Sequence, residues 1–229
     1  MTLPPGITNW VIKKLCRILC RVDDSQLAKV PPKGPLILVV NHVNFLDVPI
    51  TYTHLLPRPL TGLVKTETWN HPLLGPLFKL WEGIPIRRGE ADLTALRQGL
   101  EALAAGKILA IAPEGTRSGH GRLQRAHPGV VTLALKSGAP LLPLVYFGGE
   151  QFHDNFRRLR RTDFQLVVGQ IFTLDVCGKR VTADLRQQIA DEIMCQLAAL
   201  LPPAYRGVYA DLLGVAGCHL RFLSESKGV

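Results

Sequence analysis

"LILVVNHVNFLD", residues 36–47, runs five apolar residues directly into Asn41, His42, Asn44 and Asp47. An unbroken apolar run of this length, rich in branched side chains and closed by polar ones, reads as a strand buried on both faces. The pattern recurs at 62–65, 84–86, 108–112 (ILAIA), 141–147 (LLPLVYF) and 164–168. Between these runs, Leu93, Leu96, Leu100 and Leu103 repeat at helical spacing, as do Leu185, Ile189, Ile193 and Leu197 behind a Thr182 N-cap. Strands alternating with helices predict an α/β domain, a largely parallel central sheet flanked by helices. Such sheets build their sites beyond the carboxyl ends of the strands.

At 229 residues and 47% hydrophobic content the chain is long enough for one sizeable core. Its net charge of +9 suits an anionic partner: phospholipid headgroups, nucleic acid or a phosphorylated small molecule. The five cysteines are scattered and form no CxxC pair, so neither a disulfide framework nor a zinc site is indicated. Reduced, cytosol-facing thiols are the simplest reading. No run approaches the roughly 20 apolar residues of a bilayer span, and "MTLPPGITNW" lacks the order of a signal peptide. The expectation is a cytoplasmic protein, peripheral or monotopic at the cytosolic face of a membrane.

Residues 9–22, "NWVIKKLCRILCRV", set Lys13, Arg17 and Arg21 four apart beside Lys14, with Trp10 and six aliphatic residues filling the rest. This predicts an amphipathic helix, either lying in a membrane surface or packing on the domain. Residues 1–24 are accordingly set apart as an N-terminal interface helix and 25–229 as a single domain. "RRLRR", 157–161, is the densest charge run and reads as a solvated surface loop. The tail from "LPPAYRGVYADLL" onward suits a second membrane contact or simple packing.

His42 and Asp47 would lie some 140° apart in a regular helix and would not meet. If His42 sits in the loop after the strand and a helix begins near Asn44, the carboxylate one turn in can reach back to the imidazole. It would then fix one ring nitrogen and leave the other as a general base. An N-capping Asp beside a hydrogen-bonded His fits the same residues. The second cluster, "ILAIAPEGTRSG" (108–119), ends a strand with Pro113, Glu114, Gly115, Thr116, Arg117 and Ser118, offering backbone amides and a guanidinium suited to a phosphate. At a third strand end, "EGIPIRRGE", Arg87 and Arg88 follow Gly83. Pro140 and Pro143 stiffen a fourth stretch.

In this order the four stretches resemble the glycerolipid acyltransferase family over roughly residues 35–150. His42 and Asp47 match its catalytic pair, Gly83 and Arg88 its second block, Pro113 to Arg117 its third, and Pro140 and Pro143 its fourth. Ala112 stands where an aromatic residue is usual, Arg87 where Asp or Asn is common, and Asn44 where Ser is common.

The resemblance implies O-acyl transfer from acyl-CoA or acyl carrier protein to a lysophospholipid hydroxyl. The first expected acceptor is 1-acylglycerol 3-phosphate, giving phosphatidate, followed by glycerol 3-phosphate and a lyso-glycolipid. It casts His42 as general base and Asp47 as its orienter, with no covalent intermediate. Arg88 and Arg117 would clamp the acceptor phosphate, and Glu114 would align Arg117 or an acceptor hydroxyl. Asn41, Gly83, Gly115 and Thr116 join them as substrate-binding residues. Leu74, Leu77, Phe78 and Trp81 are candidates for an acyl groove or for ordinary packing. No metal, no resident cofactor and no nucleic acid are expected; the partners are a phospholipid surface, the acyl donor and the acceptor. Two rivals are a thioesterase, for which no GxSxG elbow exists, and a non-enzymatic basic binding protein.

Overall fold

The computed structural model describes residues 4–72, 74–87, 89, 92–211 and 218–223. In chain order the elements are α1 (Pro5–Leu19), β1 (Cys20–Asp23), β2 (Leu36–Val40), α2 (Asp47–His54), β3 (Leu60–Lys65), α3 (Leu74–Leu80), β4 (Ile84–Ile86) and α4 (Leu93–Ala104). They continue with β5 (Ile108–Ile111), α5 (Gly129–Ser137), β6 (Leu141–Phe147), α6 (Phe152–Arg157), β7 (Thr162–Val168), β8 (Phe172–Leu174), α7 (Ala183–Leu200) and β9 (Leu220–Phe222).

All five residues of β2 are buried, and alternation sends them to opposite faces of the sheet. Ile37 and Val39 pack against α4, α5 and α7 through Leu103, Val131, Ile193 and Leu197. Leu36, Leu38 and Val40 pack the other way, against Cys16 of α1 and Ile50 of α2. Helices therefore cover both faces, which is why the strand sequence shows no polar alternation.

The sheet order is β1-β7-β6-β2-β5-β3-β4, with β8 on β6 and β9 on β8. Strands β2 to β6 are mutually parallel, β7 runs antiparallel to β6, and β1 parallel to β7. From β2 the chain crosses to β3 and β4 on one side, returns to fill the gap with β5, and then adds β6 on the other side. The loops leaving β2 and β5 thus emerge side by side at the carboxyl edge, where this architecture forms its crevice.

The predicted strands are all present, and Thr182 caps α7 by accepting from the Leu185 amide. Three short strands, β1, β8 and β9, add to them. The leucine stripe of α4 is inward at Leu103, but Leu93 is 74% exposed. α4 packs tightly at Gly99, where a Cβ would stand 3.0 Å from Leu133 and 3.2 Å from Leu109.

The largest departure concerns the N-terminus. The helix starts at Pro5, a residue pre-set for a first turn, and ends at Leu19. Residues 20–23 pair in register with 162–165 instead of continuing the helix, because sheet pairing outweighs the amphipathic pattern there. Arg21 consequently leaves the expected cationic stripe and forks onto Asp163 at 2.5 and 2.9 Å. Asn9 accepts from the Trp81 indole at 2.9 Å, and Cys16 is buried. Residues 4–24 are thus packed onto the rest of the chain and hydrogen-bonded into its sheet. The outward face of α1 still carries Ile7, Trp10, Leu15 and Ile18, each at least half exposed, and Lys14 lies 5.7 Å from the Trp10 ring. Among the described residues no helix is long and apolar enough to cross a membrane.

Candidate active site

Where β2 ends, the side chain of Asn41 takes over the ladder. Its Oδ1 accepts from the Tyr146 amide and its Nδ2 donates to the Tyr146 carbonyl, both at 2.8 Å. Asn41 is 1% exposed, so its amide is engaged by β6 and not offered to a ligand. The main chain is then free to leave the sheet, carrying His42 into a loop. This loop is held from three sides. The His42 amide donates to Glu114 Oε1 at 2.9 Å, and the His42 carbonyl accepts from the Ser118 amide at 2.8 Å. Asn44 braces the turn by donating to the Gly149 carbonyl and accepting from the Leu46 amide.

Asp47 is the first residue of α2, not one turn inside a helix begun near Asn44, and it makes no capping bond within that helix. Its carboxylate turns back to the loop instead. One oxygen, Oδ2, accepts from the Val43 amide (2.6 Å), the Asn44 amide (2.9 Å) and His42 Nδ1 (2.8 Å). The partial positive charge at the start of α2 favours a carboxylate at that position. With Nδ1 bonded to Asp47, the outer nitrogen Nε2 is the one left to face Arg117, whose Nε lies 3.4 Å away. Nδ1 donating and Nε2 accepting is the tautomer this network requires.

The loop after β5 supplies the opposite wall. Gly115 has a φ of 67°, and a Cβ there would meet the His127 ring at 3.0 Å, so the turn demands glycine twice over. Thr116 and Arg117 are exposed beside it. Glu114 points the other way: it is 3% exposed, with Oε1 on the His42 amide and Oε2 on the Gln124 amide at 2.9 Å. It braces His42 from behind and faces neither Arg117 nor the place of an acceptor hydroxyl, contrary to the expectation from the motif. The chain near 205–209 clamps the same loop: the Leu123 amide donates to the Tyr205 carbonyl, and the Ala126 amide to the Tyr209 hydroxyl. This described part of the tail is packing; Leu212 and Leu213 lie outside the described residues.

Burial pushes the Glu114 carboxyl from 4.5 up to about 7, outweighing the amide bonds that favour its charged form. Between those two pH values the folded chain holds more proton on this group than the unfolded chain does. Stability contributed by this group therefore falls as pH rises through the window, by at most about 3 kcal/mol. Thermal melts from pH 4.5 to about 7 are expected to show the wild type losing stability relative to Glu114→Gln. Parallel curves for the two proteins would remove Glu114 as the source of the dependence.

A cavity of about 140 Å³ opens beside His42 and Asp47, walled by Val40, Val48, Tyr52, Leu63, Ala110 and Ala112. Asn41 and Gly115 also line it, whereas Val48, Tyr52, Leu63 and Ala110 belong to no motif in the sequence. The expected groove residues lie elsewhere. Trp81 stacks on Tyr52 at 4.5 Å, with Phe78 packed against Trp81, and Leu74 and Leu77 lie at the edge of that cluster. They form a layer behind Tyr52. Gly83 lies in a separate open depression with Phe78 and Glu82, wedged 3.2 Å (as a Cβ) from Val64. Arg88 lies outside the described residues.

Residues 21–147 match the family model described as Acyltransferase. The chain is 32% identical over 139 residues to a lyso-ornithine lipid O-acyltransferase of Pseudomonas aeruginosa, covering 60% of this chain and 52% of that protein. It is 28% identical over 196 residues to a 1-acyl-sn-glycerol-3-phosphate acyltransferase of the same organism, covering 84% and 74%. It spans about half the length of several curated relatives it matches. Among solved structures, the 1-acyl-sn-glycerophosphate (LPA) acyltransferase PlsC of Thermotoga maritima superposes with a TM-score of 0.60 at 20% identity, over 86% of this chain and 79% of that one. The likeness bears on the fold, a mostly parallel sheet between helices.

Proposed function

The chain belongs to the Acyltransferase family, and from that premise we propose that it transfers a fatty acyl group from an acyl thioester to a lysophospholipid hydroxyl, with 1-acylglycerol 3-phosphate as the preferred acceptor. The observation that carries this reading is the imidazole held by Asp47 through Nδ1, with Nε2 turned toward Arg117. A thioester is already activated, so the protein has only to position an alcohol and take its proton. His42 Nε2 removes the acceptor proton as the oxygen attacks the acyl carbonyl. The C–S bond breaks, and the imidazolium returns the proton to the departing thiolate.

The 3.4 Å contact of Arg117 with Nε2 is long and exposed, so an incoming hydroxyl can displace it. The released guanidinium would then hold the acceptor phosphate as a fork, with Arg88 as its proposed partner. Asp47 orients the ring, and Glu114 positions the His42 backbone. The cavity beside His42 would take the first part of the acyl chain. The 32% identity to a lyso-ornithine lipid enzyme favours a second reading, an acceptor whose headgroup is an amino acid and not a phosphate.

Release of free thiol from palmitoyl-CoA on anionic vesicles tests the function. Release that requires 1-acylglycerol 3-phosphate supports the first reading, and release that requires a lyso-ornithine lipid the second. Acceptor-independent release would mark a thioesterase and overturn both.

The proposed anchor to the lipid surface is the outward face of α1. Removing residues 1–22 would also delete three of the four residues of β1, so substitution is the cleaner test. Ile7→Ser, Trp10→Ser and Ile18→Ser together are expected to weaken binding to anionic vesicles on the order of a hundredfold by co-sedimentation, with the melting curve unchanged. Equal sedimentation of variant and wild type would remove α1 as the anchor.

A further inference from the structure

The "RRLRR" run closes α6 onto β7 in a tight turn. The amides of Arg158 and Arg160 donate to the Asn155 carbonyl at 3.1 and 2.8 Å, and the Leu159 amide to Phe156 at 3.1 Å. At its apex Leu159 is 95% exposed, with a φ of 53° that leucine seldom adopts. Arg157, Arg158 and Arg160 surround it, exposed and without an ion pair among the described residues. Arg161 does something else: its guanidinium donates to the carbonyls of Arg17 (2.5 Å) and Cys20 (2.8 Å), fastening the turn to the C-terminal end of α1. On the opposite side, Phe156 stacks on Phe152 at 5.7 Å, and Phe152 meets Phe45 edge-on at 5.4 Å. Phe45 belongs to the His42 loop, so a row of three rings joins the turn to the candidate site.

We propose that this turn is a second lipid contact, distinct from the outward face of α1, in which Leu159 enters the interface of an anionic bilayer while Arg157, Arg158 and Arg160 engage its headgroups. The inference rests on the lysolipid reading above and extends it. A leucine on a convex tip offers nothing that a flat protein partner could bury, since such a partner would need a matching pocket. A deformable lipid interface needs none. The three unpaired guanidinium groups match anionic headgroups, each charge changing vesicle partition roughly fivefold. The Arg161 bonds hold the turn beside α1, so one lipid surface can meet both elements. The phenylalanine row then connects that surface to the His42 loop through direct ring contacts.

The test uses the full chain carrying Leu159→Cys in a Cys177→Ser, Cys218→Ser background, labelled with an environment-sensitive dye, on phosphatidylglycerol vesicles. A blue shift quenched by lipid-borne quenchers is expected, together with about a tenfold loss of partition for unlabelled Leu159→Ser. If vesicles sediment the protein but the dye spectrum is unchanged, this proposal falls and the lipid reading of α1 stands. If vesicles do not sediment the wild type, both fall. A shift without lipid, brought on by raising the protein concentration or by adding acyl carrier protein, would give the turn to a second copy or to a protein partner and overturn the lipid assignment.

Discussion

Acyl transfer by His42→Ala is expected to fall on the order of a thousandfold or more with the fold intact, because a positioned general base contributes roughly 10² to 10⁴ in rate. The substitution spares what supports the loop. The His42 amide keeps Glu114 and its carbonyl keeps Ser118, since both bonds are made by the main chain. The Nδ1 bond to Asp47 and the long Arg117 contact on Nε2 are lost, and two amides still satisfy the Asp47 oxygen. The expected stability cost is about 1 kcal/mol. Thiol release measured beside a thermal melt separates the two effects. A folded variant with normal turnover would rule out the proposed chemistry.

The second large effect belongs to Asp47→Asn. An amide oxygen can keep the three donors now on Oδ2, but it lacks the charge that stabilises an imidazolium. The new NH₂ must also occupy the place of Oδ1, which is buried with no hydrogen-bond partner. A stability loss of roughly 1–3 kcal/mol follows, together with a fall in kcat of roughly 10² to 10⁴. Because Asp47 acts through His42, the double variant is expected to be no slower than His42→Ala alone. Losses that multiply in the double variant would mean that the two residues act independently.

Strands buried on both faces announce themselves as apolar runs, so β2, β5 and β6 were legible in the sequence. Strands β1, β8 and β9 were not. They are three or four residues long, and their pairing is dictated by partners distant in the chain. The meeting of His42 with Asp47 was legible from spacing once a loop was assumed. The inward turn of Glu114 was not, because nothing in "PEGTR" states which way a carboxylate points. The cavity wall draws single residues from several elements, including Val40, Tyr52, Leu63 and Ala110, whereas "LLGPLFKLW" offered its apolar residues in one conspicuous stretch. Proximity in sequence favours the latter; the Trp81–Tyr52 stack instead sets Trp81 behind the cavity wall, and Leu74 and Leu77 at the edge of that cluster do not line the cavity.

The two hydrogen bonds between Asn41 and Tyr146 bear on how precisely the His42 ring is held. β2 is the middle strand of the seven in the main sheet order, the place least exposed to fraying, and Asn41 extends its grip one residue past the last main-chain pair, Val40 with Leu144. His42 is therefore cantilevered by a single residue from the middle of the sheet. Its positional tolerance is set by the sheet, and the Asp47 bond fixes the way the imidazole faces.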